Sequence, residues 1–73
     1  MANWPAAKSG YAISDIDSTS DPKYFGFLDD SGEWYILQMT SGSDIRYFRG
    51  SINYSTNWTN RAGLSYDYYS EVF

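Results

Sequence analysis

Apolar and polar positions alternate in short runs along this chain, and a turn signal interrupts them about every 11 residues. Residues 11–16 (Tyr-Ala-Ile-Ser-Asp-Ile) read as a short first strand. Residues 17–22 are polar and close on Pro22, which favours extended backbone before it. Residues 24–28 and 33–39 are dense in aromatic and aliphatic side chains and flank Asp29-Asp30-Ser31-Gly32. Residues 44–49 form the next run, and residues 64–69 alternate as a last one. Between these lies a Ser/Thr/Asn-rich stretch, whose side chains bond their own backbone and favour turns and caps. The pattern predicts an all-β fold: a small antiparallel four- to five-stranded meander, as barrel or sandwich. One short helical turn is predicted near residues 56–61, capped by Ser55 or Thr56 and stopped by Gly63. Residues 1–22 read as an N-terminal arm and loop serving as a docking segment, and residues 23–73 as the β domain.

The central hairpin is the strongest signal. A four-residue loop would pair Leu28 with Glu33, Phe27 with Trp34, Gly26 with Tyr35 and Tyr24 with Leu37. One face then carries Phe25, Phe27, Trp34 and Ile36. The other carries Tyr24, Gly26, Leu28, Tyr35 and Leu37, with the Tyr35 ring over the bare Gly26 backbone. At roughly 150 Å² per large side chain, four such residues present on the order of 600 Å² of apolar surface. That is as large as the largest patch on an ordinary monomer, so the second face is expected to be covered. Tyr24, Tyr35 and Leu37 are therefore the expected protein–protein contact, with further copies of this chain or with another protein. Cover by the helical turn, the arm or a second sheet of the same chain is the alternative.

Composition sharpens this picture. With 73 residues the core is small, and such domains usually need a disulfide, a metal or oligomerisation. The chain has no cysteine and no histidine, which removes disulfides, thiolate chemistry and the usual zinc sites. Oligomerisation is the remaining staple. Aromatic residues make up 21% of the chain, which argues against disorder and for strands and contact surfaces. The net charge of −4 argues against a nucleic-acid partner, and Arg46 with Arg49 do not make a phosphate stripe. No apolar run is long enough for a membrane span, and the N-terminal residues lack the pattern of a signal peptide. Synthesis in a cytoplasm, without secretion by a signal peptide, is the expectation.

Candidate chemistry is sparse. Asp15, Asp17 and Asp21 are spaced like a calcium loop, but the sixth and twelfth positions hold Ser20 and Gly26 where Gly and Glu are required. They read as a solvated loop. Asp29, Asp30 and Glu33 crowd one turn and do not face each other across a cleft, as glycoside hydrolysis needs. Lys8 and Lys23 neighbour Ser9 and Ser20 in sequence only. No catalytic residues, metal ligands or cofactor are assigned, and no enzyme activity is expected. Asn53-Tyr54-Ser55 and Asn57-Trp58-Thr59 match the glycosylation pattern within a polar stretch. Tyr54 and Trp58, flanked by Asn and Arg, are the candidates for stacking on a sugar. The competing reading has Trp58 plugging one end of the fold with Tyr54 beside it.

The string Tyr24-Phe25-Gly26-Phe27-Leu28-Asp29-Asp30-Ser31-Gly32-Glu33-Trp34-Tyr35-Ile36, then Arg46-Tyr47, then Trp58-Thr59-Asn60-Arg61-Ala62-Gly63-Leu64-Ser65-Tyr66-Asp67-Tyr68-Tyr69, resembles small proteins encoded among the structural genes of tailed bacteriophages. The resemblance spans about residues 23–73. It implies a non-enzymatic virion component at the tail, a fibre attachment point or the capsid surface, made in the host cytoplasm. Such a protein would work as an oligomer or on other virion proteins. A carbohydrate-binding module that takes a host surface glycan on Tyr54 and Trp58 is the alternative. The resemblance carries no catalytic residues.

Overall fold

The computed structural model describes residues 5–41 and 44–73. Four strands form one antiparallel sheet in the order β1-β2-β3-β4: β1 (Tyr11–Asp17), β2 (Lys23–Asp29), β3 (Trp34–Thr40) and β4 (Asp44–Gly50). The fold is all-β in its framework, a meander in which every strand pairs with its sequence neighbour. The sheet is single and open. β1 belongs to it, so part of the segment read as an arm is the sheet's first edge. Among the described residues no helix is long and apolar enough to cross a membrane.

The hairpin register differs from the expected one by a residue. Leu28 pairs with Trp34, Phe27 with Tyr35, Gly26 with Ile36 and Phe25 with Leu37. The turn is the cause. Asp29 Oδ1 accepts from the Ser31 N–H, the Ser31 hydroxyl and the Glu33 N–H, each at 2.9 Å. The Asp29 N–H donates to the Glu33 carbonyl, also at 2.9 Å. Glu33 is thereby drawn into the turn and strand pairing starts one residue later. A one-residue slip moves every side chain of a strand to the opposite face. Tyr35 and Leu37 consequently share a face with Phe25 and Phe27. Trp34 and Ile36 share the other with Tyr24.

Both faces are closed by the same chain. Residues 51–73 form a strap. On the face of Trp34 and Ile36 it lays down α1 (Tyr54–Thr59), a 3-10 turn (Arg61–Gly63), Leu64 and Tyr66. At Asp67 it crosses the outer edge of β4, where the Tyr47 N–H donates to the Asp67 carbonyl at 2.7 Å and the Asp67 N–H returns to Tyr47 at 2.9 Å. On the face of Tyr35 and Leu37 it ends in α2 (Tyr69–Val72) and Phe73. The expected last strand over residues 64–69 is thus reduced to one bridge. Leu64 and Tyr66 serve one face, while Tyr69 and Phe73, four apart on a helical turn, serve the other. The helical turn also starts earlier than expected: Asn53, with φ 60°, precedes it, and Ser55 and Thr56 lie inside it without a side-chain cap.

Gly26 is where α1 meets the sheet. A Cβ built there would overlap the Tyr54 hydroxyl and stand 2.9 Å from Tyr54 Cζ and 3.1 Å from Trp58 Cε3. The ring over this glycine therefore comes from the strap and not from Tyr35. Gly26→Ala is expected to destabilise the protein by about 1–3 kcal/mol through overpacking. Tyr54→Phe in the same chain, which removes the overlapping oxygen, should recover part of that loss. Urea midpoints of the single and double variants measure both effects.

Candidate contact surface

The three residues expected at a subunit contact are interior. Tyr24, Tyr35 and Leu37 are at most 6% exposed and lie on two different faces. Tyr35 is the hub of its side. It stacks on Phe27 with centroids 4.5 Å apart, and the edges of Tyr11 and Phe73 meet it at 5.0 and 5.3 Å. Its hydroxyl reaches the rim and accepts from the Lys8 N–H at 2.8 Å. Burial pushes the Tyr35 phenol up. Tyr24 packs beside Tyr66, and the Arg61 guanidinium stands 5.9 Å from its ring. The expectation assumed that one hairpin face stayed bare, and the strap covers both.

Tyr54 and Trp58 do come together, as inner cover of the sheet. Their rings are near-parallel with centroids 6.3 Å apart. The Arg61 guanidinium lies 4.5 Å from the Trp58 ring. The Tyr54 hydroxyl donates to Asp15 Oδ2 at 2.8 Å, and burial first, then this bond, raises its pKa. The sugar platform expected of these rings finds them half-buried and engaged in packing.

The acidic residues of β1 hold this cover down, a role their sequence spacing did not reveal. Arg61 Nη2 and Nε donate to Asp17 Oδ2 at 2.9 and 3.1 Å, and Arg61 Nη1 donates to the Trp58 carbonyl at 2.8 Å. Asp21 Oδ1 instead accepts from the Ser41 N–H. Asp15, Asp17 and Asp21 therefore turn to three separate partners. Only an alignment linking positions 15 and 17 to 54 and 61 would have shown the pairing in advance.

Outside remain Ile52, the most exposed large apolar side chain, in the strap between β4 and α1, and apolar groups on the two sheet edges. Tyr68 is 57% exposed and Tyr69 nearly half exposed, where the strap crosses β4. The Arg46 guanidinium lies 4.0 Å from the Tyr68 ring centroid, a cation–π contact that orients both groups. Ile13 and Ile16 are exposed on β1. A bulge between Ile13 and Asp15 turns both isoleucines to one face, opposite Phe27 and Phe25. No family model, curated protein or solved structure matches the chain.

Two outcomes follow from this arrangement. Leu37→Lys should abolish folding outright, read as loss of the cooperative thermal transition, because it buries an unpaired charge. The Arg61 hydrogen bond, opposed in part by desolvation, lowers the Asp17 pKa below its ordinary 3.8. A depressed carboxylate stabilises the fold above its unfolded pKa, and the contribution disappears as pH falls through the lower folded value. Wild type should thus exceed Asp17→Asn in stability at neutral pH, by about 0.5–1 kcal/mol for a partly exposed pair. The gap should close below about pH 3.8, measured by urea unfolding across the acid range.

Proposed function

We propose that this protein is a non-enzymatic structural or accessory component of a virus particle, of the tailed-phage kind its sequence pattern resembles, and that it works by surface contact. The observation that carries the reading is the cluster at the β4 edge in which half-buried Arg46 backs the exposed Tyr68, with exposed Tyr69 beside it. Tyrosine and arginine are the residue types that most often anchor protein interfaces, because a rigid amphipathic ring gives large contact area for little lost conformational freedom. Here the ring is already oriented by a cation.

The rest of the fold supports the same reading. The aromatic residues of the hairpin are consumed in closing a two-sided sheet, and the buried apolar clusters contain no buried charged residue. The rings favoured for a sugar platform are packed against Gly26 and Arg61. The contact surface proposed from the structure is therefore the rim of the sheet and not the hairpin face.

Quantitative mass spectrometry of purified particles from the source virus tests this. The expected result is the chain present at a fixed, stoichiometric copy number. Its absence from particles, with the chain abundant in infected cells, would refute the reading.

A further inference from the structure

The two halves of the strap are held to the sheet by different means. The half before Asp67 is tied by polar bonds as well as by packing. The Tyr54 hydroxyl donates to Asp15, Arg61 donates twice to Asp17, and Trp34 Nε1 donates back from the sheet to the Ile52 carbonyl at 2.9 Å. The half after Asp67 has no such tie. Among the described residues, no side-chain hydrogen bond or ion pair joins residues 69–73 to the sheet. The backbone bonds of α2 close on themselves: the Glu71 and Val72 N–H groups donate to the Tyr68 carbonyl at 2.9 and 3.2 Å, and the Phe73 N–H to the Tyr69 carbonyl at 2.9 Å.

What holds this half in place is ring edges. Phe73 meets Tyr35 at 5.3 Å and Tyr47 at 5.9 Å, and Tyr69 meets Tyr47 at 5.3 Å, all three edge to face. The Lys8 and Arg49 cations each stand 5.4 Å from the Phe73 ring. Contacts of this kind are individually weak. Tyr69, Ser70 and Glu71 are exposed even in place, so only Val72 and Phe73 have much cover to lose.

The boundary between the halves is sharp. Two backbone bonds fix Asp67 to Tyr47. Tyr68 follows with extended backbone, φ −64° and ψ 152°, and its ring is pinned by Arg46 at 4.0 Å. The helical turn beyond it can rotate away about the torsions next to Tyr68 without disturbing the bridge.

We propose that residues 69–73 are a lid, which lifts from the sheet as a unit, pivoting beside Tyr68, while the rest of the strap and the sheet stay folded. Tyr35 and Tyr47 lose their Phe73 cover in the open form, and Tyr11 stays against Tyr35. Segments held by few buried apolar contacts are the ones that open below the global transition. The closed molecule hides its aromatic hub and the open one presents it. This device stands apart from the particle reading and does not depend on it.

Native-state hydrogen exchange of the full chain, followed amide by amide by NMR at rising sub-denaturing urea, tests it. The Glu71, Val72 and Phe73 amides are expected to be at least about tenfold less protected than the Tyr47 and Asp67 amides of the bridge, and nearly insensitive to urea, because lifting the lid exposes little surface. The bridge amides should fall with those of β2 and β3. The closing equilibrium also sets a ceiling: loss of the lid cannot lower the folding constant by a larger factor than the lid's own protection factor. Phe73→Ala should therefore fold, lose no more than that factor in urea unfolding, and bind the hydrophobic dye anilinonaphthalene sulfonate severalfold more than wild type.

Equal protection at α2 and at the bridge, with the same urea dependence, overturns the proposal, because the lid would then open only with the whole fold. So do bridge amides that exchange together with α2, which would remove the pivot. A Phe73→Ala protein that fails to fold or loses more than the ceiling overturns it as well, and so does a folded variant whose dye binding matches wild type.

Discussion

A sheet that is apolar on both sides must be covered on both sides, and everything else in this small protein follows from that requirement. The central strands β2 and β3 alternate large apolar groups with large apolar groups. Phe25, Phe27, Tyr35 and Leu37 need cover on one side, and Tyr24, Trp34 and Ile36 on the other. Antiparallel sheets commonly leave one face to water, and this one does not. A single strap of residues 51–73 supplies both layers by passing around the β4 edge. Neither short helix would be stable alone, since helices of this length gain their stability from packing. Each is held by rings pressed on the sheet and by a few polar ties at the rim.

Tyrosine suits this construction better than phenylalanine would. In a molecule this small, a ring buried in the middle places its hydroxyl near the surface, where it finds a partner or water. Tyr35 reaches Lys8, Tyr54 reaches Asp15, and Tyr66 donates to the Arg61 carbonyl at 2.8 Å. No buried side-chain polar atom among the described residues lacks a hydrogen-bond partner. The aromatic richness that first suggests an interface is in large part a device for filling a core that is never far from solvent.

Much of the framework was legible from the residues alone. The four strands stand where alternation and turn signals place them, and Gly26 does lie beneath an aromatic ring. The register did not follow from loop length, because it depends on the Asp29 side chain gathering three donors and absorbing Glu33 into the turn. The strap's path was hidden for a different reason. Residues 64–69 alternate like a strand, and no local pattern reveals that Tyr66 and Tyr69 belong to opposite sides of a sheet formed far upstream. The same omission led Tyr24, Tyr35 and Leu37 to be read as contact residues: a bare hairpin face was inferred because the cover was not visible. Asp15 and Asp17 looked like loop carboxylates because their partners lie 39 and 44 positions away.

The crossing at Asp67 has a bearing on how the molecule comes to be folded. Each strand of the meander pairs with its immediate predecessor, so the sheet is assembled from local contacts and can form early. Its cover follows it in the chain. Until residues 51–73 have swung past the β4 edge, the sheet has two apolar sides bare. A chain whose strap is undocked would be a sticky plate, open to capture by its neighbours or by a chaperone. The aromatic density that makes the finished molecule self-sufficient is what makes its unfinished form hazardous.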